Sequence, residues 1–158
     1  MTILSSTIAY NRVTQGSAGG TLVGNGFQLT NTIVALSGQV NAQGTPIPGA
    51  PSKNCDGIPQ GTPPPPSTDV NNNMADDTTC SLSTANSSYP NTNPQLASGL
   101  ADNGGPSKTL ALQSNSPAIN AGSNPDCGPS TYILTDQRGP GYPRILGTAC
   151  DIGAFELK

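Results

Sequence analysis

Short runs of alternating apolar and polar residues recur along this chain, each bounded by Gly, Pro, Asn or Asp. In the first third, residues 6–11 (STIAYN) and 31–36 (NTIVAL) alternate Ile or Val with Ser, Thr and Asn. Such alternation is typical of strands with one face packed inward and the other toward solvent. Aligned on each other, the two segments give an offset of 25 residues, within the period of stacked β-coils. Asn11 and Asn31 are then either members of a stacked asparagine ladder or ordinary loop residues.

Residues 39–80 interrupt this pattern with a stretch rich in Pro, Gly and Asn. Four consecutive prolines at 63–66 favour an extended polyproline segment. We interpret them as a stiff part of a loop rather than as a ligand for a proline-binding groove. The sequence therefore predicts a surface excursion over 39–80, between β-coils in residues 1–38 and a third region in residues 81–158.

The last region consists of short apolar runs between turn residues, and each run is too short for a helix. Four blocks follow one another there: LADNGG (100–105), SPAINAG (116–122), TDQRG (135–139) and CDIGAFE (150–156). In this order they resemble the C-terminal region of secreted bacterial right-handed parallel β-helix proteins of the choice-of-anchor Q domain type. The resemblance covers about residues 90–156. It implies one all-β domain, a right-handed parallel β-helix of few coils with a disulfide-stapled, loop-rich C-terminal cap.

Composition fits a turn-rich all-β chain. There are 19 Gly and 16 Pro in 158 residues, 33% of the residues are hydrophobic and Trp is absent, so a single globular core would be thin and the narrow interior of stacked coils fits better. The net charge of -3 and the lack of a basic stripe argue against nucleic acid as a partner. No apolar run approaches the roughly 18 residues of a membrane span, and no signal segment follows Met1. We expect a mature processed product or the C-terminal piece of a longer β-helix.

Four cysteines occur in a chain without histidine and without C-x-x-C spacing. A zinc site would need four isolated thiolates, so disulfides are the better interpretation. Three pairings are possible, and sequence order with loop length favours Cys55 with Cys80 and Cys127 with Cys150. Each bond would stabilise the fold by about 3 kcal/mol on the chain-entropy estimate. Disulfides predict an extracellular or cell-surface location.

Charged residues concentrate near the C-terminal end of the sequence. The set comprises Asp136, Arg138, Arg144, Asp151 and Glu156. β-Helix polysaccharide lyases use acidic residues for calcium and Arg or Lys as base, but structural pairing is the favoured role here, with Arg138 bonded to Asp151 or Glu156. We assign no catalytic and no cofactor-binding residue. Asp76 and Asp77 are weak candidates for a calcium site, and a solvated turn is favoured over it.

These observations predict a non-enzymatic extracellular structural or adhesive β-helix element that self-associates or forms filaments. Its expected partners are upstream β-helix coils or other copies of the chain, bound through an open N-terminal face. One alternative is a fragment or relative of a β-helix polysaccharide lyase or hydrolase. Another is a module that binds cell-surface glycan or ice, although Thr7, Thr30 and Thr32 are too few for a flat ice-binding array.

Overall fold

The computed structural model describes residues 1–14, 21–24, 27–43, 45, 47, 53–56 and 69–158. Within these residues the chain is all-β, built from short strands with three single turns of 3-10 helix at Thr84–Asn86, Asn124–Asp126 and Pro129–Thr131. The strands are β1 (Thr2–Leu4), β2 (Thr7–Ala9), β3 (Arg12–Thr14), β4 (Leu22–Val23), β5 (Gln28–Thr30), β6 (Ile33–Ala35), β7 (Gly38–Val40), β8 (Cys55–Asp56), β9 (Asp69–Asn71) and β10 (Met74–Ala75). None of the helical turns is long and apolar enough to cross a membrane, so the described residues contain no candidate membrane helix.

All ten strands of the described residues pair in parallel, and they form four small sheets. Their orders are β1-β5-β9, β2-β6-β10, β3-β7 and β4-β8. The first three strands each pair with a strand 26 residues later in the chain. The predicted offset of 25 is therefore wrong by one residue, and Ile8 lies opposite Val34 rather than Ile33. Strand β6 is apolar at three consecutive positions and buried at all of them. The alignment of residues 6–11 on residues 31–36 was therefore ambiguous by one residue.

Left-handed backbone conformations mark a corner between the first two sheets. The corner residues have φ between 45 and 56°, and they are Ser5, Asn31, Asn72 and Ser87. The amides of the first three donate to carbonyl groups of the next level, over 3.0 to 3.1 Å. Asn and Ser suit this position because short polar side chains tolerate the left-handed region better than branched ones. Asn11 lies outside this corner, next to Arg12, which pairs with Gly38. Of the two interpretations of Asn11 and Asn31, the shared asparagine ladder therefore does not hold.

The middle sheet, β2-β6-β10, separates two apolar clusters. On its inner face Val34 and Ala75 pack with the interior of the stack, which contains Phe27, Leu29, Cys55 and Cys80. On its outer face Ile33, Ala35 and Met74 pack against residues from the last third of the chain, namely Leu96, Leu112, Ala118, Ile152 and Phe155. Alternate residues of one strand therefore serve two cores. A parallel sheet covered on both faces accounts for the continuous apolar run in β6.

The predicted surface excursion over residues 39–80 is wrong for much of its length. Strands β8, β9 and β10 fall inside it, and Cys55, Asp69 and Met74 are buried. The polyproline prediction for residues 63–66 lies outside the described residues. These strands are only two or three residues long. They are too short to show an alternating pattern in the sequence, so the polar, Pro-rich composition suggested a loop.

The last third of the chain also differs from the predicted terminal cap. Residues 81–92 lie at the end of the stack, where Tyr89 pairs in parallel with Met74. Residues 93–158, called the C-terminal segment from here on, pack along the side of the stack against the outer face of β6 and β10. A cap was expected because an exposed solenoid end needs cover, but the C-terminal segment instead covers the apolar outer face of the middle sheet.

Candidate functional site

The C-terminal segment is held to three successive levels of the stack by side-chain hydrogen bonds. The hydroxyl oxygen of Thr7 accepts a bond from a backbone amide at 2.9 Å, and the amide group of Asn31 both donates and accepts, at 3.0 and 2.8 Å. Asn72 donates to a backbone carbonyl at 2.9 Å. These bonds join Thr7 to Ala154, Asn31 to Ser123 and Asn72 to Ala121. The corner asparagines therefore turn the left-handed bend and also dock the C-terminal segment.

Gly153 lies where the C-terminal segment contacts the stack closely. Its φ is +105°, and its amide donates to the Asn31 carbonyl at 2.9 Å. A Cβ atom at this position would come within 2.6 Å of the Thr7 hydroxyl and 2.9 Å of the Ile33 Cδ1 atom. Only glycine meets both the backbone and the space requirement here.

Asp136 and Arg138 form a buried ion pair in the turn at residues 135–139. The Arg138 Nη2 and Nε atoms lie 2.6 and 2.9 Å from one carboxylate oxygen, and the Arg138 backbone amide donates to the other oxygen at 2.8 Å. The guanidinium carbon lies 4.1 Å from the centre of the Tyr142 ring and 4.0 Å from that of Phe155. Two aromatic rings thus enclose the cation that neutralises Asp136.

The predicted partners of Arg138, the carboxylates of Asp151 or Glu156, are wrong. Arg138 contacts Glu156 only through the backbone carbonyl of that residue. The tight turn explains the difference, because the Gly139 amide donates to the Asp136 carbonyl at 3.0 Å and so brings side chains two residues apart onto one side.

Arg144 occupies the centre of the remaining charged residues and is 2% exposed. Its Nη1 atom lies 3.9 Å from the Glu156 carboxylate, and its Nη2 atom donates to the Asp151 carbonyl at 2.8 Å. The carboxylates themselves accept backbone amides: Glu156 accepts from Asp151 at 3.0 Å, and Asp151 accepts from Asn120 at 2.8 Å and Leu157 at 2.7 Å. The charged set therefore closes the loop between residues 144 and 157.

Burial dominates the electrostatics of this set. Desolvation, with the neighbouring Asp151 charge adding to it, raises the pKa of Glu156 to about 7. Burial likewise raises the pKa of Asp151 and lowers the pKa of Arg144, despite their mutual attraction. Both residues are 1% exposed, and their carboxylate oxygens accept bonds from backbone amides of the same segment. The geometry fits structural pairing rather than general acid–base chemistry.

Two disulfides join the pairs expected from sequence order. Cys55 bonds to Cys80, 25 residues away, within the interior cluster of the stack. Cys127 bonds to Cys150, 23 residues away, within the C-terminal segment. The first bond fixes β8 to the residues that follow β10, and the second joins the two sides of the loop that carries Arg138 and Arg144.

The two calcium candidates bind backbone and side-chain donors of the protein itself. Asp76 accepts from the Leu36 amide at 3.1 Å and from the Asn54 side chain at 2.7 Å. Asp77 accepts from the Asn54 amide and the Thr79 hydroxyl, both at 2.8 Å. They are half-buried and tie β8 to its neighbours, so their carboxylates bond to the protein as well as facing solvent. Across the described ranges no group of three or more metal-binding side chains is arranged to hold an ion.

A polar network around Asp69 was missed by sequence reasoning. The Asp69 carboxylate, 6% exposed, accepts bonds from the side chains of Asn73 at 2.8 Å and Ser88 at 2.6 Å, and from the Ser83 amide at 2.8 Å. Asn73 in turn accepts from the Thr32 amide at 3.0 Å. This network joins three levels of the stack. The run DVNNN at 69–73 was the available signal, since Asp and Asn at a strand end commonly bond to nearby backbone.

Comparison with known proteins adds no assignment to this geometry. Neither the models of known protein families, nor the curated proteins, nor the solved structures include a match to the chain. The contacts of the described residues therefore carry the functional argument.

Proposed function

We propose that the chain is a non-enzymatic extracellular structural element, a short right-handed parallel β-helix whose N-terminal edge accepts another coil or another copy. The observation that carries the proposal is the position of β1, β2 and β3. Each is the end strand of its sheet among the described residues, and all three share one offset to the next level. One level of the stack thus presents three parallel strand edges side by side.

Several features support the β-helix part of this proposal. Parallel strands at successive levels are joined by corner residues that recur at the same place, and parallel crossover connections are right-handed in nearly all proteins. Two disulfides favour a location outside the reducing cytosol. The resemblance to choice-of-anchor Q domains is compatible with this architecture and stays a prediction.

The N-terminal edge has an apolar interior as well as strand edges. Ile3 packs against the interior cluster, and Ile8 lies opposite Val34 of that cluster. Both isoleucines are only half-buried, whereas Leu29 and Val34 one level below are 0% and 1% exposed. Strand edges above a partly exposed apolar core are a template for further strands, so the edge suits a repeating or adhesive assembly.

The test compares the association of the wild type with that of an edge variant. Native mass spectrometry and light scattering of the oxidised protein at about 1–100 µM should show oligomers, since non-covalent contacts of moderate size have micromolar affinities. Ile8→Lys should abolish them, because an inward-pointing charge blocks strand addition. Leu100→Lys is the matched control, since Leu100 is 66% exposed in the C-terminal segment.

Two results would contradict the proposal. One is a monomeric wild type over the whole concentration range with a cooperative melt, which would mean that the N-terminal edge is already covered. The other is equal association of the two lysine variants, which would place the contact elsewhere on the chain.

A further inference from the structure

A shallow groove with apolar walls lies on the surface of the C-terminal segment. Its volume is about 200 Å³, and Pro129, Ile133, Leu134, Pro143 and Ile145 line it. Leu134 is 60% exposed and Ile145 is 36% exposed, and both prolines are exposed as well. A ligand in this groove, called the apolar groove from here on, therefore contacts side chains that are open to solvent.

The fold holds the walls of the apolar groove in place. The Arg144 amide donates to the Leu134 carbonyl at 3.0 Å, which joins two of the lining segments. Cys127 also lines the groove, and its disulfide with Cys150 fixes a third segment. A site that is already formed loses little conformational entropy on binding, so this groove is suited to capture a small group.

The surface around the apolar groove lacks exposed charge. The stretch between residues 127 and 157 contains five charged residues, all of them 6% exposed or less: Asp136, Arg138, Arg144, Asp151 and Glu156. Arg144 lines the groove, but it is 2% exposed and its Nη2 atom donates to the Asp151 carbonyl. A charged group that entered the groove would lose water without gaining an exposed counter-charge. The groove therefore matches an uncharged ligand.

Tyr132 lies in the chain between two residues that line the groove, Pro129 and Ile133. Its side chain is 91% exposed, and its backbone is left-handed with a φ of 60°, a conformation that bulky residues rarely adopt. A tyrosine that is strained and almost fully exposed contributes little to the folded chain itself. Tyrosine is enriched at protein interfaces, so its position favours a contact outside the chain.

We propose that the apolar groove binds one large apolar side chain from an uncharged segment of another protein. The volume sets the size of the bound group, because pockets for drug-sized ligands measure about 300–1,000 Å³ and this groove is smaller. Leu134, Ile133 and Ile145 supply the apolar contacts. One anchoring side chain in an apolar pocket, surrounded by weaker contacts, is a common arrangement at protein interfaces.

The shape of the site favours a protein segment over a lipid surface. Proteins that lie on membranes insert protruding apolar side chains and place basic residues beside them. Here the apolar residues Leu134 and Ile145 form the walls of a hollow, and the two arginines of the surrounding stretch, Arg138 and Arg144, are buried. The inference goes beyond the proposed assembly role and does not rest on it, because the groove lies in the C-terminal segment rather than at the N-terminal edge.

The test is NMR titration of the ¹⁵N-labelled, oxidised protein with N-acetylleucinamide and N-acetylphenylalaninamide, and with N-acetyllysinamide as the charged probe. At least one apolar probe should shift the amides of Gly128, Ile133 and Ile145, with a Kd of about 1–10 mM for a ligand of this size. Leu134→Lys should weaken this binding at least about tenfold, because it places a charge in the groove. Leu100→Lys is the matched control, since Leu100 is 66% exposed and does not line the groove, and it should bind like the wild type.

Four results would overturn the proposal. The first is no amide shift with either apolar probe at 50 mM, about fivefold or more above the expected Kd. The second is binding of N-acetyllysinamide as tight as that of the apolar probes, or binding that survives Leu134→Lys in a folded variant. The third is sedimentation of the wild type, but not of Leu134→Lys, with phosphatidylcholine vesicles, which would make lipid the occupant. The fourth is weaker self-association of Leu134→Lys than of Leu100→Lys, which would make a second copy the occupant; equal self-association of these two variants leaves the N-terminal edge to be tested by Ile8→Lys alone.

Discussion

Replacing Arg138 by methionine should destabilise the folded chain by about 3 kcal/mol. The substitution leaves the Asp136 side chain, which is 0% exposed, without its counter-charge, and breaking a buried ion pair from one side costs about 3–5 kcal/mol. We place the loss at the lower end of that range because Asp136 keeps two backbone donors, the Arg138 amide at 2.8 Å and the Glu156 amide at 2.9 Å. Methionine also retains apolar contact with Tyr142 and Phe155.

The assay is guanidinium unfolding at pH 7 with both disulfides intact, followed by circular dichroism because the chain has no Trp. A second variant, Asp136→Asn with Arg138→Met, tests the physical reason. Removing the stranded charge should recover about 1–2 kcal/mol relative to Arg138→Met alone. Arg12→Met is the matched control at an exposed arginine, and it should change the free energy of unfolding by less than about 1 kcal/mol.

The reasoning is refuted if Arg138→Met costs no more than Arg12→Met. It is also refuted if the double variant is less stable than Arg138→Met, since the cost would then come from lost packing between the two rings rather than from an uncompensated charge.

Three further predictions concern pH, close packing and calcium. Because burial raises the pKa of Glu156 to about 7, the folded chain binds this proton more tightly than the unfolded chain. The free energy of unfolding should therefore fall by at most about 3 kcal/mol as the pH rises from about 4.5 to 7. Over this pH range the free energy of unfolding of Glu156→Gln, measured by denaturation, should change less than that of the wild type. Equal dependence on pH would contradict the raised pKa of Glu156. Gly153→Ala should lower the free energy of unfolding by about 2–4 kcal/mol, through backbone strain and overlap with Thr7. Thermal melting should be compared with that of Gly99→Ala, where the added Cβ meets nothing within 4 Å. Similar melting temperatures for the two variants would contradict this prediction. Calcium at about 5 mM should leave the melting temperature unchanged within about 1 °C, because the Asp76 and Asp77 oxygens accept bonds from protein donors. A rise of several degrees that is lost in Asp76→Asn would show that calcium binds at these aspartates.

Local features of this fold could be predicted from the sequence. Alternating Ile and Thr in residues 6–11 and 31–36 indicated paired strands at nearly the right offset. The disulfide pairs followed from neighbouring positions in the chain, because short loops favour Cys55 with Cys80 and Cys127 with Cys150. Each of these inferences needed only contacts between residues near in sequence or similar in pattern.

Long-range docking could not be predicted in the same way. Thr7 and Ala154 are 147 residues apart, and nothing in the sequence around a single threonine or alanine predicts a contact over that distance. The continuous apolar run Ile33–Ala35 indicated that β6 is covered on both faces. It did not indicate which part of the chain covers the outer face. The Arg138 partner depended on the geometry of one turn, and composition alone favoured the more distant carboxylates.

The contact between Thr7 and Ala154 has a consequence for the order in which this protein can form during synthesis. Strand β2 is made among the first residues, yet the group that bonds to Thr7 is made 147 residues later. At synthesis rates of about 5–20 residues per second, this interval is roughly 7–30 s. Until the C-terminal segment has been made, it cannot cover Ile33 and Met74 on the outer face of the middle sheet. A chaperone that binds the growing chain would meet the protein in this half-covered form.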